Sequence, residues 1–187
     1  MSFGILTVIC GPMFAGKSTK LIELAGELDS NSCLLIKPAF DTRYHETKIM
    51  THDGKSIDAI SVNTIEEPAG DIENVFLDEV QFMTAPYFAD DVVAKTKHLL
   101  GRGIHVTVAG LDLDAYGEPF GITATLLAMA QNVIKLKARC IICNSSAHMT
   151  FKKISNDNKF ELGETDIYEP RCGQHWLSGI KASSSVP

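Results

Sequence analysis

The chain has 187 residues, of which 45% are hydrophobic, so it can form one sizeable core with a small appendage but hardly two full domains. A formal net charge of −6 and a pI near 5.5 argue against sequence-independent nucleic-acid binding, which usually needs a basic face. No apolar segment approaches the roughly 20 residues of a membrane span, and the first residues lack the basic region of a signal peptide. We therefore expect a cytoplasmic protein whose partners include neither a membrane nor a nucleic acid.

Apolar runs alternate along the chain with stretches of helical periodicity, which is typical of a parallel sheet covered on both faces. The predicted strands cover residues 5–10, 33–37, 75–79, 104–110 and 133–137. The predicted helices cover residues 18–28, 86–100 and 123–131. Residues 38–54 are polar and turn-prone, which favours a long loop. The pattern predicts an α/β fold, with helices on both faces of a parallel sheet.

The first predicted strand leads directly into residues 11–18, which read Gly-Pro-Met-Phe-Ala-Gly-Lys-Ser. Between a strand and a helix this pattern is typical of a phosphate-binding loop, whose backbone N–H groups surround phosphate oxygens. Lys17 can reach the outer phosphates of a nucleoside triphosphate, and the Ser18 hydroxyl can coordinate Mg²⁺. The candidate nucleotide-binding residues here are Gly11, Pro12, Met13, Phe14, Ala15, Gly16, Lys17 and Ser18.

The third predicted strand ends in two carboxylates, Asp78 and Glu79, as expected near a phosphate loop in a nucleotide-binding fold. Because side chains alternate along a strand, one carboxylate can hold Mg²⁺ while the other addresses the attacking group. Glu79 can orient a water, which gives an ATPase, or take a proton from a substrate hydroxyl, which gives a kinase. A merely solvated acidic pair is the alternative to both.

Two pairs of soft metal ligands follow near the C-terminus, each at the spacing of a tetrahedral zinc site. The predicted ligands are Cys140, Cys143, Cys172 and His175. Four protein ligands leave no position for water, so we predict a structural metal that pins the hairpin formed by the 28 intervening residues. A redox Cys-x-x-Cys pair is the alternative. Cys10 and Cys33 fall within predicted strands and are expected to be core residues.

Several short motifs occur together and in order along the chain. They are the phosphate loop, Asp41-Thr-Arg-Tyr44, Thr51-His-Asp53, Asp78-Glu-Val-Gln-Phe82, Gly110-Leu-Asp112 and Glu118-Pro-Phe-Gly121. With the two zinc turns, this combination resembles the zinc-containing, cellular-type (type II) thymidine kinases from about Gly4 to Trp176. The resemblance implies transfer of the γ-phosphate of ATP to the 5′-hydroxyl of thymidine, giving thymidine monophosphate for DNA synthesis. It implies ATP, Mg²⁺ and a structural Zn²⁺ as cofactors.

The resemblance also implies roles for residues on the phosphate side of the site. Glu79 is the expected catalytic base, and Asp78 is expected to support Mg²⁺ beside Lys17 and Ser18. Arg43 is the candidate for stabilising charge on the moving phosphoryl group, although a surface arginine in a flexible loop is equally compatible with the sequence. Asp41 is expected to hold that loop, and Gln81 is assigned to the nucleotide-binding set.

On the nucleoside side, the resemblance implies apolar walls around the base, formed by Met13, Phe82, Leu111 and Phe120. It places Thr150 near the base and packs Tyr168 against the nucleoside. The segment between them is expected to wrap the base like a lasso and bind it through backbone groups. That lasso comprises Lys159, Phe160, Glu161, Leu162 and Gly163.

One departure from related bacterial sequences is Ala115-Tyr116, where those sequences tend to carry Phe-Arg. Either Tyr116 replaces the missing aromatic wall or the pocket is looser and accepts deoxyuridine and analogues more readily.

The resemblance implies a homotetramer and feedback inhibition by dTTP. The expected domains are a P-loop α/β domain at residues 1–138 and a zinc-binding subdomain with its lasso at 139–178, followed by a disordered tail at 179–187.

Two readings of other classes remain open at this point. A P-loop ATPase with an accessory zinc ribbon would hydrolyse ATP, with Glu79 polarising water. A zinc-ribbon interaction module would bind nucleotide for regulation only, and nothing catalytic would depend on Glu79.

Overall fold

The computed structural model describes residues 2–42, 47–50, 54, 56–154, 163 and 165–184. The strands are β1 (Leu6–Cys10), β2 (Cys33–Pro38), β3 (Lys48–Met50), β4 (Ser56–Asp58), β5 (Ile60–Val62), β6 (Asn74–Leu77), β7 (His105–Gly110), β8 (Asn132–Lys135), β9 (Ala138–Arg139), β10 (Ser146–Ala147), β11 (Met149–Lys152) and β12 (Tyr168–Arg171). The α-helices are α1 (Lys17–Gly26), α2 (Val92–Gly101), α3 (Gly121–Met129) and α4 (Gly173–Ser184), and short 3₁₀ turns span Ser30–Ser32 and Val80–Phe82.

The main sheet has six strands in the order β5-β2-β6-β7-β1-β8, and every pairing within it is parallel. Next to the β8 edge, Val8 of β1 lies opposite Val108 of β7 on one side and Val133 of β8 on the other. The α/β prediction is therefore confirmed, and the five predicted strands all occur near their expected positions. Strand β5, at one edge of the sheet, was not predicted.

The core lies on both faces of this sheet because successive side chains of a strand point in opposite directions. Val8 belongs to the cluster that packs against α2 and α3, which includes Leu99 and Leu126. Its neighbour Ile9 belongs to the cluster on the opposite face, which α1 covers with Leu21. Helices thus cover both faces, as predicted.

Two segments differ from the sequence prediction. Helix α2 begins at Val92 rather than near residue 86, because the Asp91 carboxylate accepts hydrogen bonds from the backbone N–H groups of Val93 and Ala94, 3.0 Å each. The predicted loop 38–54 contains strand β3, which pairs antiparallel with β4. The polar character of that segment concealed Ile49, which is 2% exposed and packs in the α1-side core.

The chain after β8 forms two small antiparallel sheets, β9 with β10 and β11 with β12, followed by α4. The predicted hairpin between the zinc turns is therefore present as β11 and β12. The predicted disorder of residues 179–187 is wrong for 179–184, which continue α4. Gly179 lacks a side chain that would collide with Arg171 and Phe151, so the helix can lie against the hairpin. Residues 185–187 lie outside the described residues.

The boundary predicted at residue 138 falls within β9 and stays a prediction. Among the described residues, no helix combines the length and apolar character needed to cross a membrane.

Candidate active site and metal centre

The phosphate loop connects β1 to α1 through three residues with left-handed or related backbone angles. Gly11, Phe14 and Gly16 have φ angles of 142°, 64° and 79°. A Cβ atom at Gly11 would collide with the carbonyl oxygen of Leu136, so this position requires glycine. Lys17 opens α1, is 8% exposed and donates from Nζ to the carbonyl oxygen of Pro12 at 2.8 Å. The ammonium group is thus held over the loop that the sequence predicts to bind phosphate.

The acidic pair lies at the carboxyl end of β6, with β7 between it and the strand that leads into the phosphate loop. Asp78 is 5% exposed, and the nearby Ser18 side chain acts to lower the pKa of its carboxyl. Glu79 does not continue the strand, since its backbone is left-handed (φ 53°, ψ 41°) and a 3₁₀ turn follows. The prediction that strand alternation separates the two carboxylates is therefore wrong, and the turn orients Glu79.

The surroundings of Asp78 disfavour its ionised form. Burial raises the pKa of this carboxyl most, and the nearby charges of Glu79 and Asp41 raise it further. Hydrogen bonds from the Ser18 hydroxyl and the Glu79 backbone act in the opposite direction, and the pKa lies at about 7. A carboxylate that is costly to ionise gains strongly from a nearby cation.

Gln81 joins Glu79 to the end of β7. Its side chain is 1% exposed, and Nε2 donates to Oε2 of Glu79. Its Oε1 accepts from the backbone N–H of Leu111 at 3.0 Å. A Cβ atom on Gly110 would lie 2.8 Å from Oε1 of Gln81, so glycine at that position leaves room for the amide. The amide therefore fixes the Glu79 carboxylate relative to Leu111, one of the predicted pocket walls.

Phe82, another predicted wall, is 6% exposed and belongs to an aromatic group that sequence reasoning missed. The ring of Phe40 lies 5.4 Å from Phe82 and 4.0 Å from Tyr87, measured between centroids. Phe40 and Tyr87 also line an open pocket of about 420 Å³. The only sequence signal for Phe40 is its place directly before Asp41 of the recognised motif.

The predicted residues of the hairpin are buried. Thr150 on β11 is 3% exposed, and its Oγ1 accepts a hydrogen bond from the backbone N–H of Met13 at 3.1 Å. Tyr168 on β12 is 7% exposed and lies opposite Lys152 in the hairpin. The structure thus brings Met13 and Thr150 into direct contact.

A tight turn at residues 113–119 separates Leu111 from Phe120, which is 6% exposed. Oδ1 of Asp114 accepts from the backbone N–H groups of Tyr116 and Glu118, 2.9 Å each. Sequence reasoning did not single out Asp114, because these two hydrogen bonds are with the backbone of its own turn.

The remaining predicted residues are only partly described. Asp41 is 7% exposed, and its carbonyl oxygen accepts from Nζ of the buried Lys37 at 3.2 Å, a contact that the sequence did not suggest. Gly163 is described, and a Cβ atom there would approach the side chain of Ile167 to 2.6 Å. The predicted residues Arg43, Lys159, Phe160, Glu161 and Leu162 lie outside the described residues.

The predicted zinc ligands come together. Their ligand atoms all lie within 4.8 Å of one another, and the donor set is Cys140, Cys143, Cys172 and His175. Sγ of Cys172 lies 3.9 Å from Sγ of Cys143 and 3.2 Å from Nδ1 of His175, and Sγ of Cys140 lies 3.6 Å from the same nitrogen. A tetrahedral zinc with bonds of about 2.3 Å separates its ligand atoms by about 3.8 Å. Zinc therefore fits this cluster.

The cluster also favours the thiolate forms of Cys140 and Cys172. Burial raises the pKa of the Cys140 thiol, but backbone hydrogen bonds from Cys172, Cys143 and Ile142 together bring it down to about 6. The cysteines outside the cluster behave differently. Burial raises the pKa of both Cys10, which is fully buried, and Cys33, which is half-buried. Neither is activated as a thiolate, in agreement with their predicted core role.

Comparison with known proteins identifies the family. The family model described as thymidine kinase matches residues 4–176. The chain belongs to the thymidine kinase family. A protein from Mycoplasma mobile named thymidine kinase is 36% identical over 184 residues, which cover 95% of this chain and 90% of that protein.

Family membership confirms the resemblance to thymidine kinases that the motifs indicated. It also makes the chain a nucleoside kinase, which is a transferase. The Cys/His cluster supports the zinc-containing type within the family. A kinase of this family implies ATP as phosphate donor and thymidine as acceptor.

Proposed function

We propose that this protein transfers the γ-phosphate of ATP to the 5′-hydroxyl of thymidine and gives dTMP in nucleoside salvage. One observation carries the proposal: the Ser18 side chain of the phosphate loop acts directly on the buried Asp78 carboxyl, whose pKa it lowers, and Glu79 is the next residue. A phosphate loop joined to an acidic strand end supports phosphoryl transfer from a magnesium nucleotide, because such transfer needs positioning and charge neutralisation.

Residues 11–18 bind the phosphates of ATP, and Lys17 contacts the outer ones. Ser18 and Asp78 hold Mg²⁺, which when bound offsets the negative charge of the phosphates. Their oxygen atoms suit this ion, and the raised pKa of Asp78 indicates a carboxylate that gains from a cation. Arg43 binds the phosphoryl oxygens, and Asp41 supports its loop.

Glu79 accepts the proton of the nucleoside 5′-hydroxyl as that oxygen attacks the γ-phosphorus. The amide of Gln81 holds the carboxylate in position, so Gln81 supports the nucleotide site through Glu79. The backbone N–H of Leu111 donates to the same amide, and this bond links the catalytic base Glu79 to the nucleoside pocket. The walls of that pocket are Met13, Phe82, Leu111, Phe120, Thr150 and Tyr168, and the lasso at residues 159–163 closes it through backbone groups.

The zinc ion has a structural role in this proposal. By holding the two ends of the β11–β12 hairpin, it limits the freedom of the lasso before the nucleoside arrives, which lowers the entropic cost of binding. We also propose that the protein acts in the cytoplasm as a homotetramer and is inhibited by dTTP.

The experiment that tests the proposal measures ADP release from Mg-ATP by the purified protein, with and without thymidine, together with the mass of the nucleoside product. We expect turnover that depends on thymidine and a product heavier by one phosphate. ADP release that ignores every nucleoside would instead indicate an ATPase, and no release at all would indicate a regulatory nucleotide-binding module. Including deoxyuridine reports whether Ala115-Tyr116 leaves a looser pocket.

A further inference from the structure

Trp176 is the single tryptophan of the chain and lies on α4, directly after the metal ligand His175. Its indole Nε1 donates a hydrogen bond to the carbonyl oxygen of Ala115 at 3.0 Å, across 61 residues of sequence. The indole is half-buried. An indole N–H has one donor and no acceptor, so this bond fixes the ring relative to the turn that carries Ala115.

The 113–119 turn has a glycine where it contacts the indole, so no side chain stands between them. Gly117, at φ 84°, lies close to the ring, and a Cβ atom there would come within 3.1 Å of Cη2 of Trp176. The same Cβ atom would come within 3.4 Å of Cε of Met149 on the hairpin. The turn is therefore in close contact with α4 and β11, while the Asp114 carboxylate closes it from within.

This turn connects two predicted walls of the nucleoside pocket. Leu111 precedes it, and the backbone N–H of Phe120 after it donates to the carbonyl oxygen of Asp112 at 3.0 Å. Leu113 and Pro119 form a bridge across its base. A displacement of the turn would therefore move both walls together.

The other side of Trp176 is tied to the metal centre. Its backbone N–H donates to the carbonyl oxygen of Cys172 at 2.9 Å, so the first turn of α4 and the residue directly before it carry two of the metal ligands and the indole. A metal that fixes Cys172 and His175 thereby fixes the position from which the indole reaches Ala115.

We propose that Trp176 is a positioning residue for nucleoside binding, which holds the 113–119 turn, and with it Leu111 and Phe120, at the distance set by the metal-anchored α4. The inference rests on the proposed function in that it takes these two residues as pocket walls. It adds a contact through which the zinc centre acts on nucleoside affinity, separate from the ordering of the lasso.

The test compares the zinc-loaded wild type with Trp176→Phe, which keeps an aromatic ring but removes the donor. Because a single neutral hydrogen bond is lost, the KM for thymidine is expected to rise by about threefold to tenfold. The kcat and the KM for ATP are expected to stay within about twofold, since no group on the phosphate side is touched. Leu177→Ala, a change at the exposed next residue of α4, is the matched control and is expected to leave all three constants unchanged.

A second readout does not require turnover. Trp176 is the sole indole, so emission excited near 295 nm reports on this contact alone. Thymidine without ATP is expected to reduce quenching of the wild-type emission by acrylamide, because a filled pocket restrains the turn that contacts the ring. Removal of zinc by a chelator is expected to increase that quenching.

An unchanged thymidine KM in folded, zinc-containing Trp176→Phe would overturn the inference while leaving the kinase proposal intact. If that variant fails to fold, as seen from its zinc content and melting temperature, the wild-type quenching decides. Weaker acrylamide quenching of Trp176 in the presence of thymidine supports the positioning role. Quenching that is the same with and without saturating thymidine refutes it. Absence of thymidine phosphorylation by the wild type would instead contradict the proposed function.

Discussion

The backbone N–H of Met13 in the phosphate loop donates a 3.1 Å hydrogen bond to the Thr150 hydroxyl on β11. Next to it, Ala15 packs against the small cluster of Ala138, Cys140 and Ala147 beside the metal centre. The subdomain that carries the metal ligands is thus in direct contact with the loop predicted to bind ATP. This contact gives the hairpin a role on the phosphate side as well as the nucleoside side.

Replacing Thr150 by valine tests this contact. Valine has nearly the same shape but no acceptor, so the partly buried N–H of Met13 loses its partner at a cost of about 1 kcal/mol. We expect a lower melting temperature and a higher KM for ATP, measured by thermal unfolding and initial rates. Thr150→Ser retains the hydroxyl and is expected to restore both. Equal values for the valine and serine variants would show that the bond contributes nothing.

Glu79→Gln tests the proposed catalytic base. The substitution keeps the size of the side chain but cannot accept the proton, so thymidine phosphorylation is expected to fall by about 10²-fold to 10⁴-fold. ATP binding, measured by calorimetry, is expected to be retained. Glu66→Gln, at an exposed position away from the site, serves as the control. Turnover at the wild-type rate would remove Glu79 from the mechanism.

The amide of Gln81 is tested by Gln81→Leu. Without the amide, the Glu79 carboxylate loses the contact that fixes it, and a displacement of the order of 1 Å can cost about a hundredfold in rate. We expect the loss mainly in kcat. Gly110→Ala is expected to act in the same direction, because its Cβ atom would lie 2.8 Å from the Gln81 oxygen.

The chain offers a matched control for that variant. Gln131 also accepts from a backbone N–H, that of Leu6 at 2.7 Å, but at the start of β1, the opposite end of the sheet from Gln81. Gln131→Leu removes an equivalent bond and is expected to lower the melting temperature without lowering kcat. If both leucine variants affect kcat equally, Gln81 has only a structural role.

Cys172→Ser tests the metal centre. Removing one thiolate of four is expected to reduce bound zinc from about one ion per chain to a small fraction, and to lower the melting temperature. Metal content by mass spectrometry and thermal unfolding are the measurements. Cys33→Ser, outside the cluster, is expected to retain the zinc. Zinc retained at full occupancy by Cys172→Ser would contradict the predicted ligand set.

The raised pKa of Asp78 predicts a pH-dependent stability in the absence of nucleotide and Mg²⁺. The folded protein holds this proton up to about pH 7, whereas the unfolded chain releases it near 3.8. Between these values the folded state binds more protons, so stability falls as pH rises through the window and stays reduced above it. Asp78→Asn cannot ionise, and we expect its gain in melting temperature over the wild type to be larger at pH 8 than at pH 5.

Differential scanning fluorimetry at the two pH values measures this gain. Asp71→Asn, at an exposed loop position, controls for the general effect of removing a negative charge. A gain for Asp78→Asn that is the same at both pH values would contradict the assignment of a raised pKa.

Features that depend on neighbours along the chain could be recognised from the amino-acid sequence alone. The phosphate loop, the strand that ends at the acidic pair and both zinc turns could be identified because their function requires fixed short spacings. The sheet could be predicted from apolar runs, since burial on both faces requires nearly continuous hydrophobic strands. The zinc ligands lie at the limit of such reasoning. The two turns are far apart in sequence, and they could be paired only because both carry ligands suited to the same metal.

Contacts between segments that are distant in sequence became visible only in the folded chain. Gln81 meets Leu111 across 30 residues, Trp176 meets Ala115 across 61, and Met13 meets Thr150 across 137. No local pattern marks these pairs, because each depends on how strands and helices pack rather than on the preferences of the residues themselves. The left-handed turn at Glu79 and the continuation of α4 past Gly179 have the same origin, since packing against neighbouring elements overrides the local tendency of the chain.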